Sequence, residues 1–538
     1  MAHDADLQSI QEMRDLVRAA KEAQLEFRNY DQTRVDRIVK AMADAGYEAA
    51  ERLGRLAHEE TGFGNPAHKK LKNEFATRRV WESIRDLRTV GVIREDREKR
   101  IIEIAEPMGV VCALIPSTNP TSTAMFKAII SVKGRNGIVA SPHPRSARST
   151  SEALQVVSQA AEAAGAPHGL IGCLPHPTLE ATGELMKHKL VSVILATGST
   201  PMVKTAYSAG KPCYGVGAGN VPAYIEKSAD IRKAVADIVS GKTFDNGVLC
   251  STEASVVVDR SIRENAVDEF RNASCWFTEG EDLARLSRLM FDSRGTINAG
   301  MVGKPAPYIA QQAGIQVPEN TRVLVAELNG VGRDYPLSRE KLSPVLSFFT
   351  VTDWREGCER CIELLEFGGM GHTLVIHSTD EDIIMKFALE KPANRILVNT
   401  QAALGAVGYT NELLPSLTLG PGTFGGSIIS DNVSAKHLIN IKRLAFETRP
   451  INKPDGSQPH HAAPVPAPAE QSRPKSETPV TAPSWIEQIE ERIRLKAGNP
   501  AVGGKAPAAE KEAGTRTTFG NGMSEADVEK VIREFSRR

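Results

Sequence analysis

The chain has 538 residues, enough for two or three domains of ordinary size. Apolar residues make up 41% and charged residues 25%, a composition typical of a soluble globular protein. Lys+Arg and Asp+Glu both number 66, so the formal charge is zero and no global attraction to nucleic acid or to an anionic membrane is expected.

Targeting and redox signals favour a cytoplasmic protein. The polar, acidic N-terminus, MAHDADLQSIQEMRDL, predicts no secretory signal, and no apolar run approaches the ~18 residues of a membrane span. Seven cysteines are scattered along the chain, an odd count that predicts reduced thiols.

Up to residue 450, helical and strand patterns alternate. Residues 4–60 are mostly helical, Arg100–Ala105 alternates like a strand, and Gly109–Ile115 is an apolar run typical of a buried parallel strand. A helix over 122–132, a short strand at 137–140, a helix over 149–165 and a strand at 192–195 follow, and a similar alternation resumes from 253 to 400. This repetition predicts an α/β fold with a doubly wound, largely parallel sheet and a second α/β lobe.

The composition changes near residue 451. Residues 451–483 contain eight prolines and few large apolar side chains, which predicts an extended linker that cannot bury enough surface to fold. A short amphipathic helix is expected over 484–496, a second linker over 497–521, and a last helix within 522–538, where Val528, Val531, Ile532 and Phe535 form one apolar stripe.

Three segments contain residue types suited to catalysis or to cofactor binding. Cys250 follows the Asn246-Gly247 turn and precedes an apolar run, which presents its thiol, although an isolated cysteine is more often a small core residue. Asn119 follows the 109–115 strand, where an amide can donate to an oxyanion or merely form an Asn-Pro turn. Gly198 and Ser199 precede a helix and leave room for a diphosphate, a weak signal by itself.

No His, Asp or Glu cluster has metal-ligand spacing, so no metal site is predicted. His460 and His461 lie in the proline-rich linker, where a solvated pair is expected.

Taken together, residues 106–146 (EPMGVVCALIPSTNPTSTAMFKAIISVKGRNGIVASPHPRS), 196–230 and 242–259 (KTFDNGVLCSTEASVVVD) resemble CoA-acylating aldehyde dehydrogenases. The likeness is to the aldehyde dehydrogenase half of bifunctional aldehyde–alcohol dehydrogenases and to acylating sulfoacetaldehyde dehydrogenases. EKLSPVL (340–346), GGMGHTL (368–374) and LTLGPGTFGGS (417–427) extend the resemblance, which covers roughly residues 20–448.

The resemblance implies the site residues. Cys250 matches the nucleophile, Asn119 the oxyanion-hole asparagine, and His372 a histidine of the GHT motif with a less defined role. Glu340 matches the glutamate that contacts the nicotinamide ribose. The other positions that match the cofactor site are Leu114, Ile115, Pro116, Ser117, Thr118, Gly198, Ser199 and Gly217. Thr200 stands where relatives often carry another glycine.

The resemblance also implies an aldehyde dehydrogenase-like architecture. A Rossmann-like cofactor domain is expected over 1–243, completed by about 425–450 with oligomerisation elements, and a catalytic domain over 244–424, followed by a disordered C-terminal extension. A homo-oligomer is expected. No alcohol dehydrogenase half follows residue 450, so onward reduction to an alcohol is not expected.

The expected reaction converts a small aldehyde, CoA and NAD(P)⁺ to acyl-CoA and NAD(P)H through a Cys250 thioester, with NAD favoured over NADP. The hydrolytic family carries its base in an ELGG motif, whereas the corresponding residues 215–220 (GVGAGN) hold no carboxylate, which favours transfer to CoA over hydrolysis. A hydrolytic aldehyde dehydrogenase, a glutamyl-phosphate-type reductase and a non-enzymatic scaffold remain alternatives. Acetaldehyde, propanal, lactaldehyde and sulfoacetaldehyde all remain possible substrates.

The terminal stripe resembles the encapsulation peptides of bacterial microcompartment enzymes. Residues 522–538 are therefore expected to bind shell proteins and to direct the chain into such a compartment, the alternative being a helix that packs back on its own catalytic domain.

Overall fold

Residues 5–452 are described by the computed structural model, and the predicted linkers and the helices at 484–496 and 522–538 lie outside them. The helices are α1 (Ala5–Phe27), α2 (Gln32–Glu48), α3 (Ala50–Thr61), α4 (Pro66–Glu74), α5 (Val80–Ile84), α6 (Pro120–Lys133), α7 (Ala147–Ala163), α8 (Leu179–Lys187), α9 (Thr200–Tyr207), α10 (Ile231–Thr243), α11 (Arg263–Asn272), α12 (Gly280–Met290), α13 (Ala306–Gln312), α14 (Trp354–Gly368), α15 (Glu381–Glu390) and α16 (Ala402–Gly405).

The strands are β1 (Gly91–Asp96), β2 (Ile101–Pro107), β3 (Val110–Ile115), β4 (Gly137–Pro142), β5 (Ile171–Cys173), β6 (Val191–Thr197), β7 (Cys213–Val216), β8 (Val221–Ile225), β9 (Glu253–Asp259), β10 (Cys275–Thr278), β11 (Val323–Glu327), β12 (Val345–Val351), β13 (Leu374–His377), β14 (Ile396–Val398) and β15 (Ile439–Ala445). The α/β class and the strands and helices predicted between 100 and 200 are confirmed, with ends that differ by a few residues.

The first sheet is parallel and has the order β5-β4-β3-β6-β7. The chain runs outward from β3 through β4 to β5 and then returns to the other side through β6 and β7. The strand order therefore reverses between β3 and β6, and ligands of open parallel sheets bind outside the carboxyl ends of strands at such a reversal. Every residue of β3 is buried, which explains its unbroken apolar sequence.

The second sheet, also parallel, has the order β10-β11-β12-β9-β8-β13-β14. Its strand β8 begins only four residues after β7 ends, so Gly217–Asn220 connects the two sheets directly. Because β8 precedes residue 244, the predicted boundary at 243/244 falls inside the segment that builds this sheet. The division into a cofactor and a catalytic domain stays a prediction.

A third sheet, β1-β2-β15, is antiparallel and brings the end of the described chain back to residues 101–107. Val92, Ile441, Leu444 and Phe446 are exposed on or beside it. None of the helices between residues 5 and 452 is long and apolar enough to cross a membrane.

Candidate active site

The candidate residues lie at two facing edges of the sheets. Residues 116–119 follow β3, Gly198 and Ser199 follow β6, and Gly217 follows β7, all at the carboxyl edge of the five-stranded sheet. The structure thus brings residues 116–119, Gly198 and Ser199 to the point where the strand order reverses, with Gly217 after the adjacent strand, whereas Glu340, also predicted to bind the cofactor, precedes a strand of the second sheet. Leu114 and Ile115 are the buried last residues of β3.

The chemically reactive candidates lie at the amino edge of the seven-stranded sheet. Four neighbouring strands, in the order β12-β9-β8-β13, are preceded in the chain by Glu340, Cys250, Gly219 and His372 respectively. Residues about 120 positions apart in sequence therefore meet at one edge, because strands of a parallel sheet start on the same side.

Gly219 packs directly on the backbone of the candidate nucleophile. A Cβ atom added at Gly219 would lie 1.9 Å from the carbonyl oxygen of Cys250 and 3.3 Å from Cε1 of His372. Its N–H donates to Oε1 of Glu340 at 3.0 Å. A side chain at this position would separate the three candidates, so the absence of one is a steric requirement.

The Cys250 thiol is partly buried, and burial, reinforced by the Glu340 carboxylate, raises its pKa to about 12. The Arg395 guanidinium and hydrogen bonds from the backbone N–H groups of Cys250 and Ser251 act in the opposite direction. Arg395 is itself buried, donates to backbone carbonyls including that of Gly420 at 2.8 Å, and was not predicted from the sequence.

His372 is buried, and its Nδ1 lies 2.9 Å from Oγ1 of Thr373. Burial and the nearby Arg395 charge hold the pKa of His372 well below its ordinary value, so the ring is neutral near pH 7. Its Nε2 has no hydrogen-bond partner among the described residues. A neutral imidazole with a free nitrogen can accept a proton.

The Glu340 carboxylate contacts residues 215–220 through the N–H of Gly219, which donates to its Oε1 at 3.0 Å. Burial raises its pKa to about 7, while the Gly219 N–H and the charges of Lys242 and Lys341 oppose that shift. Residues 215–220 contain no carboxylate of their own, but the carboxylate of Glu340, from the loop before β12, lies against them.

Asn119 precedes α6 and is 9% exposed. Its Nδ2 donates to Oγ1 of Thr118 at 3.1 Å, and its Oδ1 accepts a hydrogen bond from Nζ of Lys72. Lys72 also contacts Asp245, on the turn that leads to Cys250. Sequence reasoning did not single out Lys72, since a lysine in the helical run KKLK is usually solvated.

The loops after β6 and β7 fit a dinucleotide. A Cβ at Gly217 would lie 3.2 Å from Oγ1 of Thr200, so the loop after β7 approaches the start of α9 closely. A Cβ added at Gly198 would come only within 4.0 Å of Cγ of Met202, and the side chain of Ser199 makes no cap hydrogen bond at the start of α9. Free N–H groups at a helix start, beside small residues, suit a diphosphate. Thr200 is the first residue of α9, so its presence does not prevent this turn.

The described residues also bear on metal binding and on disulfide chemistry. Residues 5–452 contain no group of three or more His, Cys, Asp or Glu side chains that could hold a metal ion. All seven cysteines are free thiols, including Cys358 and Cys361, which stand in a C-x-x-C spacing on α14.

The chain is similar to known aldehyde dehydrogenases. The model of the aldehyde dehydrogenase family matches residues 3–286. The bifunctional aldehyde-alcohol dehydrogenase of Escherichia coli K12 is 43% identical over 443 residues, which are 81% of this chain and 50% of that protein. The chain therefore spans about half the length of the curated aldehyde–alcohol dehydrogenases that it matches.

Two solved structures are also similar. An acetylating aldehyde dehydrogenase from Geobacillus thermoglucosidasius is 51% identical, with a TM-score of 0.83, over 84% of this chain and 100% of the other. A propionaldehyde dehydrogenase from the fucose utilisation bacterial microcompartment of Clostridium phytofermentans is 29% identical, with a TM-score of 0.73, over 81% of this chain and 97% of the other.

Proposed function

The chain belongs to the CoA-acylating aldehyde dehydrogenases, and from that premise we propose that it converts a small aldehyde, CoA and NAD(P)⁺ to acyl-CoA and NAD(P)H. The observation that carries the proposal is the meeting of Cys250, His372 and Glu340 around Gly219, at the edge that faces the dinucleotide loops.

In the first half-reaction, the Cys250 sulfur attacks the aldehyde carbon and forms a thiohemiacetal. The oxygen of that adduct becomes negative, and the Nδ2 amide of Asn119 and the backbone N–H of Cys250 stabilise it. Because burial raises the pKa of Cys250 to about 12, its thiolate depends on the nearby Arg395 charge and on the amide hydrogen bonds.

A bound nicotinamide would supply the hydride acceptor, and loss of the hydride from the former aldehyde carbon would leave an acyl thioester on Cys250. Residues 116–119 and Gly198, Ser199 and Gly217 would hold the dinucleotide. Glu340, at the other edge, would contact the ribose next to the nicotinamide. We propose NAD as the preferred form, with NADP as the alternative that assays must test.

In the second half-reaction, the CoA thiol attacks the thioester and expels the Cys250 thiolate. We propose that the neutral His372 ring, whose Nε2 has no hydrogen-bond partner among the described residues, accepts the proton of the incoming thiol. The products are acyl-CoA and the free enzyme. A thiol attacks a thioester well even when only a few per cent is ionised, whereas water needs a strong base.

We propose a short, uncharged aldehyde as the substrate, and a small cavity of about 10 Å³ next to Lys72 and Leu249 supports this class. Leu249, Leu71, Phe244 and Leu404 are among its lining residues, and its single charged lining residue, Lys72, is already paired with Asp245. A space for about one water-sized group suits the methyl group of a short, uncharged aldehyde. A sulfonate would have no unpaired cation there.

The test of the reaction follows product formation with and without CoA, for acetaldehyde, propanal, lactaldehyde and sulfoacetaldehyde, with both nicotinamide cofactors. The proposal expects acyl-CoA and reduced cofactor in equal amounts, with the short uncharged aldehydes preferred. Free acid formed at the same rate without CoA would instead establish a hydrolytic enzyme, and a preference for sulfoacetaldehyde would contradict the proposed aldehyde class. In Cys250→Ala, retained turnover would exclude Cys250 as the nucleophile.

We also propose that residues 522–538 direct the enzyme into a protein-shelled compartment, where a toxic or volatile aldehyde is confined. The apolar stripe of that segment supports this, as does the microcompartment origin of one similar structure. A fluorescent reporter fused to residues 522–538 and co-expressed with shell proteins should localise with the shells. A diffuse reporter would contradict the targeting role and leave the catalytic proposal intact.

A further inference from the structure

Behind Asn119 lies a buried cluster of charges that the reaction described above does not use. Lys69, Lys72 and Asp245 are each less than 5% exposed. Both lysines donate to Oδ2 of Asp245, Lys69 at 3.1 Å. Two buried ammonium groups on one carboxylate are costly to desolvate unless each finds further acceptors.

The two lysines differ in the acceptor that each finds. Lys72 donates to the side-chain oxygen Oδ1 of Asn119, whereas Lys69 donates at 3.3 Å to the backbone carbonyl of Thr118. Only Lys72 therefore contacts the side chain that is expected to bind the oxyanion. The pair forms a natural comparison, since both lysines lie on α4 and share Asp245.

Asp245 is held tightly in an unusual conformation. Its φ is 47° and that of Asn246 is 52°, values that cost non-glycine residues energy. Its Oδ1 accepts the N–H of Asn65 at 2.6 Å, and its own N–H donates to Nδ1 of His68 at 2.9 Å. A Cβ at Gly64 would lie 1.9 Å from Oδ1, so the backbone there must approach closely.

The contact with Lys72 engages one specific end of the Asn119 amide. An amide has an accepting oxygen and a donating nitrogen, and an ammonium group can hydrogen-bond only to the oxygen. With Oδ1 held by Lys72 and one Nδ2 hydrogen given to Thr118, the second Nδ2 hydrogen is left to donate to a substrate oxygen. A cation on the amide oxygen also polarises the amide and strengthens its N–H as a donor.

We propose that Lys72 is a positioning residue, which acts through Asn119 by fixing and polarising the amide that stabilises the oxyanion, with Asp245 tying this amide to the turn before Cys250. The inference rests on the proposed function. It adds a side chain from α4 to a site otherwise built from the loops that flank the two sheets.

The test is a double-mutant cycle on the full-length enzyme, measured as CoA-dependent turnover. Asn119→Ala should lower kcat about 10²-fold, the usual loss of one oxyanion-hole donor. Lys72→Met should lower kcat by at least about 10-fold, and the double variant should be within about threefold of Asn119→Ala alone, because Lys72 has no amide left to act on. The rate of Cys250 alkylation by iodoacetamide should be the same in Lys72→Met and in the wild type.

Lys69→Met is the matched control, since it removes the same charge from Asp245 without touching Asn119. Lys69→Met should lose about as much stability as Lys72→Met. When it is combined with Asn119→Ala, however, the double variant should show the product of the two single-variant losses of kcat. Should Lys72→Met not fold, Lys72→Gln replaces it in the same cycle.

The inference is overturned if the kcat losses of Lys72→Met and Asn119→Ala multiply, or if Lys69→Met shows the same coupling. It is also overturned if Asn119→Ala keeps wild-type turnover, although the proposed function then stands. A wild-type enzyme that forms no acyl-CoA would instead refute the proposed function itself, whatever the cycle shows.

Discussion

Substitution of Gly219 by alanine tests how closely the site is packed. The added Cβ would lie 1.9 Å from the Cys250 carbonyl oxygen, and both partners are backbone, so the two segments must separate by about 1 Å. A displacement of that size at a reacting group costs about 10²-fold in rate, which corresponds to about 2.7 kcal/mol of transition-state free energy. Overpacking should also lower the free energy of unfolding by about 1–3 kcal/mol.

The assay compares kcat/KM for CoA-dependent oxidation and the urea denaturation midpoint of Gly219→Ala with those of the wild type. Gly183→Ala is the control: Gly183 lies in α8, away from the site, with nothing within 4 Å of an added Cβ. That variant should keep its activity and gain about 0.5–1 kcal/mol of stability from helix propensity. If Gly219→Ala retained activity within about threefold of wild type, the inferred contact between Gly219 and Cys250 would not control the site.

The remaining predictions concern charge and assembly. Protonation of Glu340, whose pKa is raised to about 7, should weaken its contact with the nicotinamide ribose, so the KM for NAD⁺ should rise as the pH falls from about 8 to about 6. In Glu340→Gln this pH dependence should disappear; a KM for NAD⁺ that still rises as the pH falls in this variant would contradict the role given to Glu340. Alkylation of unliganded Cys250 by iodoacetamide should accelerate about tenfold per pH unit between pH 7 and 10, since burial raises its pKa to about 12; a plateau near neutral pH would contradict that environment. Light scattering should give a dimer or larger assembly at micromolar concentration, as the family resemblance implies, and a monomer would refute this expectation.

The strands of the first sheet were predictable because burial on both faces leaves an unbroken apolar sequence, as in β3. The carboxyl ends of β3 and β6 could likewise be inferred as a ligand edge from the order of strands and helices. That Cys250, Asn119 and Glu340 belong to one site came from resemblance, since they lie about 90 or more residues apart and no periodicity connects them.

Local patterns could not reveal the buried charges. Lys69 and Lys72 lie in a helix whose sequence, PAHKKLKNE, is typical of a solvated surface, yet both are buried against Asp245. Arg395 had no distinguishing neighbours in the sequence. In each case the partner comes from a distant segment, and burial of a charge becomes interpretable only when that partner is known.

The central claim is a thioester on Cys250 that CoA, rather than water, discharges. Its most direct test mixes stoichiometric enzyme, acetaldehyde and NAD⁺ without CoA, and follows the intact protein mass before and after CoA is added. The predicted result is an acetyl adduct on Cys250 that persists in the absence of CoA. When CoA is added, the adduct should disappear as acetyl-CoA forms. Release of acetate before CoA is added, or an adduct on another residue, would contradict the account.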